Sequence, residues 1–176
     1  MSIEDLEEDR RYGEAAGSEG KDKVFATRVR LLNVPRAVVV PRETSVGETA
    51  KRMTDARQGC AVVAGPDGRV AGIFTERDLL MRVVAKGLDP ARTEVGKVMS
   101  ADPECLTLDD TLGYALYKMT VGNYRSVPVV DDDGKPTGVL TQHEGVKALA
   151  SLFPTAVFNQ PSRSVEQKPP RHQHGG

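Results

Sequence analysis

An internal repeat constrains this chain more than any other feature. Displaced by 66 positions, residues 34–84 lie on residues 100–150 without a gap. Gly47 then meets Gly113, Met53 meets Met119, Val63 meets Val129, and Asp67-Gly68 meets Asp133-Gly134. Further on, Gly72 meets Gly138 and Thr75 meets Thr141. These matches cluster at turn and cap positions and carry the same apolar periods, so both copies are expected to share one local fold. The likeness reaches back to Val29 and Leu32, which fall on Val95 and Val98. A copy of about fifty residues buries little surface alone, so the two copies are expected to pack on each other.

Each copy reads as β-α-β-β-α. A short strand comes first, at Ala37–Val40 or Glu104–Leu106. A helix follows, with Val46, Ala50 and Met53 on one face, answered by Leu112, Leu116 and Met119 at the same helical spacing. Ser45 with Glu48 forms a capping-box pattern at the first helix. The apolar runs Cys60-Ala-Val-Val-Ala and Ser126-Val-Pro-Val-Val end in turns, Gly65-Pro-Asp-Gly68 and Asp131-Asp-Asp-Gly134, where glycine supplies a positive φ. Return strands at Arg69–Phe74 and Lys135–Leu140 complete two hairpins. A last helix starts at Thr75 or Thr141 and carries Leu79, Leu80, Val83 and Val84, or Val146 and Leu149.

Composition narrows the rest. With 24 basic and 25 acidic residues the formal charge is −1, which offers no broad positive field for nucleic acid. Residues 1–23 hold eight acidic and four basic side chains, a net −4, and read as a disordered acidic terminus. Residues 154–176, rich in Pro, Gln, Arg and His, read as a flexible tail in which His172 and His174 are solvated rather than metal-bound. Between them, residues 24–92 and 93–153 are the two expected domains. Cys60 and Cys105 sit in apolar runs and are expected to be buried thiols in a reducing compartment. No secretory leader and no stretch of membrane-spanning length is visible, so a soluble, cytoplasmic protein is expected.

Several of these segments resemble a known family. Gly72-Ile-Phe-Thr-Glu-Arg-Asp78-Leu-Leu is similar to the stretch that closes a cystathionine-β-synthase (CBS) domain. Val98-Met-Ser-Ala-Asp-Pro103, with Arg125-Ser-Val-Pro-Val-Val-Asp-Asp-Asp-Gly134, is similar to the opening and middle of a second one. The resemblance covers roughly residues 28–152. It implies an α/β fold, a tandem CBS-domain pair (a Bateman module) with pseudo-twofold symmetry. It also implies a regulatory sensor of adenosyl ligands such as AMP, ADP or ATP that forms a homodimer.

Physical chemistry leaves two readings of Thr75-x-x-Asp78 open. Thr75 ends a strand and opens a helix, where unsatisfied amides and the helix dipole favour a phosphate, and Asp78 one turn on can accept from a ribose diol. The same pattern is also a helix N-terminal cap. The resemblance implies a nucleotide between the copies. A first site then joins Ile73, Thr75, Arg77 and Asp78 to Tyr124, Arg125 and Ser126, with Pro103 beside the base. A second, weaker site joins Val139, Thr141, His143 and Glu144 to Gln58, Gly59 and Cys60, near Ala37. Glu144 is one methylene longer than the Asp it replaces, and Gly59 stands where the first site has Arg125.

An enzyme is not expected. The cysteines and His143 form no nucleophile–base pattern, the histidines form no metal-ligand pattern, and no P-loop or dinucleotide fingerprint occurs. No catalytic cofactor is expected. The expected role is a stand-alone module that relays ligand occupancy to a partner protein; the alternative is a dimerisation or adaptor module that binds no ligand.

Overall fold

The computed structural model describes residues 25–152; the expectations for both flanks lie outside the described residues. The first copy contains β1 (Val39–Pro41), α1 (Val46–Asp55), β2 (Cys60–Ala64), β3 (Val70–Thr75) and α2 (Glu76–Asp78), the last continued by a π-wound run, Leu79–Val84. The second contains β4 (Ser100–Ala101), β5 (Leu106–Thr107), α3 (Leu112–Val121), β6 (Ser126–Val130), β7 (Pro136–Thr141) and α4 (Gln142–Leu152). Single 3-10 turns, Val29–Leu31 and Val95–Lys97, precede each copy. The 66-residue offset carries α1 onto α3, β2 onto β6, β3 onto β7 and one 3-10 turn onto the other.

Local chemistry explains the match. The Ser45 hydroxyl accepts from the Glu48 amide and the Thr111 hydroxyl from the Tyr114 amide, so both long helices start on a side-chain cap. Glu48 does not complete the expected capping box; its carboxylate turns to Arg52 at 2.9 Å, an i,i+4 pair. Just beyond each helix a residue takes the left-handed conformation, Arg57 at φ 54° and Asn123 at φ 53°. In both hairpin turns the glycine, Gly68 or Gly134, sits at φ +78°. Any side chain there would be strained.

Two sheets result. One runs β1-β2-β3-β4 and the other β5-β6-β7. In each, the first strand lies parallel to the second and the hairpin is antiparallel, with Gly72 opposite Val63 and Gly138 opposite Val129. The fold is the expected α/β pair, with strand bounds shifted by one or two residues.

The copies exchange their leading segments. β4 belongs to the second copy by sequence but pairs with β3, Ala101 opposite Gly72 and Ser100 opposite Ile73. Reciprocally, the Val139 amide donates to the Pro35 carbonyl at 3.1 Å. Arg28 bridges to Thr111, and Glu94 bridges to Ser45, each position 66 from its counterpart. The Leu112 amide donates to the Thr27 carbonyl and the Val46 amide to the Thr93 carbonyl, both at 2.8 Å. Such reciprocity is what a pseudo-twofold axis requires.

Packing follows the exchange. Val95, Val98 and Met99 are buried in the core of the first copy with Val40, Met53 and Phe74. Val29, with Leu32 and Val34 against it, completes the core of the second copy around Leu106, Met119 and Leu140. A third cluster joins Cys60, Val62 and Ile73 to Val139 across the axis. Each large side chain so buried contributes about 1.5–3 kcal/mol.

Two expectations are corrected. Cys105 is exposed, not buried, because its run precedes β5 and stays outside the sheet. The helix after Thr75 turns from α to π winding at Leu79; Leu80 and Val84 on it are exposed and Val83 is fully buried, and Val146, the counterpart of Leu80 on the regular α4, is exposed as well.

Candidate functional site

A cleft of about 1030 Å3 opens between the start of α2, the β4–β5 link and the α3–β6 link. Ile73, Thr75, Arg77, Asp78, Pro103, Tyr124, Arg125 and Ser126 all border it, so the structure gathers every residue expected at the first site. The exchange of segments brings them together, because β4 docks on β3, Ala101 opposite Gly72, and so carries Pro103 to the edge of the cleft that Thr75 borders. Gly59, expected at the second site, also borders this cleft, and its carbonyl accepts from the Glu76 amide at 3.1 Å.

Within the cleft, Thr75 and Asp78 are bound to each other. Thr75 caps α2; its hydroxyl accepts from the Asp78 amide at 3.2 Å and donates to Asp78 Oδ2 at 2.7 Å. The Thr75 amide also donates to Oδ2, at 3.0 Å, which completes a capping box. Arg82 Nε lies 3.2 Å from Asp78 Oδ1, and Arg82 Nη1 donates to the carbonyls of Val98 and Met99. The capping alternative is therefore realised in this structure. Asp78 is buried, with three acceptor positions used of about four on a carboxylate. The hydroxyl proton of Thr75 is already given away. The Arg77 amide lies in the first turn of α2, where helix amides lack intrahelical acceptors, and the exposed guanidiniums of Arg77 and Arg125 border the cleft. Three cations, Arg77, Arg82 and Arg125, face three carboxylates, Glu76, Asp78 and Glu104.

Sequence reasoning missed one wall. The Tyr124 hydroxyl donates to Glu104 Oε2 at 2.6 Å, and Lys118 Nζ donates to Oε1 at 3.0 Å. Burial, then the bond to Glu104, pushes the Tyr124 phenol up to about 12. The same bond, followed by that from Lys118, lowers the Glu104 carboxyl below its ordinary range. The available signal was a break in the repeat: Glu104 stands opposite Val38 and Tyr124 opposite Gln58.

Residues of the second set lie on the elements that the 66-residue offset relates to the first. Cys60 and Val139 are buried in the cluster on the axis. Burial pushes the Cys60 thiol up, moderated by a bond to Ser126, its own pseudo-symmetric counterpart. The Thr141 hydroxyl accepts from the Glu144 amide at 3.2 Å, but no bond returns from the Glu144 carboxylate to the Thr141 amide. His143 is exposed. Gln58 lies against Arg36, Ala37 and Val38: its Nε2 donates to the Arg36 carbonyl at 2.6 Å and its Oε1 accepts from the Val38 amide at 3.3 Å. Among the described residues no group of three His, Cys, Asp or Glu side chains is placed to hold a metal ion, and no helix is long and apolar enough to cross a membrane.

With two exchanged β-α-β-β-α copies and a cleft between them, the chain belongs to the CBS domain family, whose pattern matches residues 31–85 and 95–151. It is 42% identical over 134 residues to the CBS domain-containing protein CBSCBSPB3 of Arabidopsis thaliana, an alignment covering 75% of this chain and 24% of that protein. The chain thus spans about a quarter of this plant relative. Among solved structures it resembles a CBS-domain containing protein from Agrobacterium tumefaciens, with TM-score 0.63 and 32% identity over 70% of this chain and 99% of the other. It also resembles a CBS domain protein from Pyrobaculum aerophilum complexed with AMP, with TM-score 0.61 and 28% identity over 66% and 88% of the two chains.

Proposed function

We propose that this CBS pair is a non-catalytic sensor of an adenosyl ligand, held in the cleft at the start of α2, and that it relays occupancy to a partner protein. One observation carries the reading: all eight residues expected at the first site border a single cleft of about 1030 Å3. The AMP complex of the Pyrobaculum aerophilum relative supports the ligand class. In this reading the Arg77 amide at the helix start and the guanidiniums of Arg77 and Arg125 take the phosphate. Oδ1 of Asp78 keeps room for one ribose hydroxyl, and Pro103 and Tyr124 flank the base. Thr75 reaches a phosphate only by giving up its bond to Asp78, so its role is to cap α2 and hold Asp78 in place.

An adaptor without a ligand is the second reading, favoured by the closed capping box between Thr75 and Asp78. A thermal-shift and calorimetry panel of AMP, ADP, ATP and other adenosyl compounds separates the two. Micromolar binding, about −8 kcal/mol, supports the sensor. A flat response across the panel leaves the adaptor.

We infer further that the working form is a homodimer. Leu80, Met81 and Val84 on the π-wound run, and Tyr117 and Val121 on α3, are large apolar side chains left more than half exposed. Light scattering at tens of micromolar checks this, and a monomer there refutes it.

A further inference from the structure

The two copies treat one backbone element in opposite ways. In the first copy, the Arg36 carbonyl and the Val38 amide are both bonded to the Gln58 carboxamide. Moved by 66 positions, the same pair is the Asp102 carbonyl and the Glu104 amide. Among the described residues neither of these makes a hydrogen bond, and both flank Pro103 at the edge of the large cleft. The residue in the place of Gln58 is Tyr124, whose hydroxyl goes to the Glu104 carboxylate instead.

A carboxamide offers one N–H donor beside one oxygen acceptor. An adenine edge offers the same adjacent pair, an amino donor beside a ring-nitrogen acceptor, which is why Asn and Gln pair with adenine so well. In the first copy a carbonyl and an amide two residues apart complement the carboxamide, and the Asp102–Glu104 pair repeats that spacing beside a left-handed Asp102 at φ 47°. We propose that Gln58 is a built-in surrogate for the base: its carboxamide fills the second site from within, so the chain takes one adenosyl ligand rather than two. The inference rests on the ligand-sensing reading above and adds which of the two equivalent positions is open.

Chemistry favours the internal occupant. Gln58 is tethered two residues before β2 and its own amide bonds to the Met53 carbonyl at 2.9 Å, so its side chain reaches Arg36 and Val38 without the entropy cost of capturing a free ligand. A base entering there has to displace two formed hydrogen bonds. At the first site it meets two unmade ones. Tyr124 cannot act as a plug, because a phenol carries one hydroxyl and no second group to span the pair.

Calorimetry with AMP tests this on the full chain, using wild type, Glu144→Asp, and the double variant Gln58→Ala with Glu144→Asp. Glu144→Asp restores the shorter carboxylate, so that the missing Asp does not mask an opened site. The expected result is a single equivalent of AMP for wild type and for Glu144→Asp, and a second equivalent only in the double variant. Hydrogen exchange supplies an independent readout. AMP should slow exchange of the Glu104 amide in wild type but leave the Val38 amide unchanged, and that amide should be fast in the double variant until AMP is added. Wild type that binds one equivalent, with a double variant that also binds one, overturns the surrogate and leaves the sensor intact. Two equivalents in wild type, or slowing at Val38 on adding AMP to wild type, also overturn it. No binding to wild type removes the sensor reading and this inference together.

Discussion

The start of α2 and the start of α4 are the same backbone junction built twice, and they differ in how far their polar groups are already committed. At α2 the carboxylate of Asp78 returns to the Thr75 amide and hydroxyl and is braced by Arg82. At α4 the longer Glu144 makes no such return, and Ala148 stands where Arg82 would be. The opposite walls invert this order: Gln58 closes its backbone pair, whereas Tyr124 leaves the Asp102–Glu104 pair open. A symmetric fold thus carries an asymmetric pair of junctions. The asymmetry lies in single side chains, not in topology.

The largest test of that comparison is whether the two copies stand or fall together. Phe74 and Leu140 occupy equivalent buried positions, one in each core. Phe74→Ala should cost about 3–5 kcal/mol and Leu140→Ala about 2–5 kcal/mol. Since each core contains residues of the other copy, both variants should still unfold in one denaturant transition. Two resolved transitions would show that the copies are independent.

Next come the matched glycines. A Cβ at Gly72 runs into the Met99 side chain, with Cγ at 2.9 Å, whereas one at Gly138 meets the Pro35 carbonyl oxygen at 2.8 Å and Val34 Cγ1 at 2.7 Å. Met99 can swing and a backbone carbonyl bonded to Val139 cannot. Overpacking costs about 1–3 kcal/mol, so Gly138→Ala should fall near the upper figure and Gly72→Ala near the lower. Urea midpoints of equal size would contradict the asymmetry.

Asp78→Ala and Glu144→Ala sharpen the contrast at the helix starts. Removing Asp78 takes away the capping box and the Arg82 pair, a loss of about 1–2 kcal/mol in stability. It should also weaken AMP binding by about tenfold to a hundredfold, as for a lost hydrogen bond to a charged group. Glu144→Ala should leave both melting temperature and AMP affinity near wild type. The reverse ranking would put the ligand at the other junction.

The smallest effect concerns Tyr124. Its phenol is raised from near 10 to about 12 in the fold, so its contribution to stability is complete below pH 10 and is lost as pH climbs from 10 towards 12. Glu104 is depressed, so its contribution is present above the ordinary carboxyl range and is lost as pH falls through its folded value. Ultraviolet titration should show Tyr124 ionising late, and Glu104→Gln should bring it earlier. No change in Glu104→Gln would show that burial alone holds the phenol.

How much of this was legible beforehand varies with the range of the interaction. α1, α3 and the two hairpins answer to local signals: Ser45 as a cap, Gly68 and Gly134 in turns, and apolar residues at helical spacing. The lining of the cleft was readable because Thr75-x-x-Asp78 and Tyr124-Arg125-Ser126 are short segments tied to such junctions. The exchange of leading segments was not, since Val29 and Val95 look alike whichever core receives them. The bonds from Tyr124 to Glu104 and from Gln58 to Arg36 and Val38 depend on side-chain rotamers across loops, about which spacing is silent. The π winding of Leu79–Val84 also escaped, because its apolar spacing fits an α-helix equally well.

The exchanged segments bear on how such a chain can change over time. A duplicated unit whose parts stay within itself is free to drift, one copy at a time. Here Val29 sits among Leu106, Met119 and Leu140, while Val95 sits among Val40, Met53 and Phe74. A volume change in either leading segment must be answered by a residue in the other half of the gene. The halves are therefore bound to evolve as partners, and a break between them separates each lock from its key.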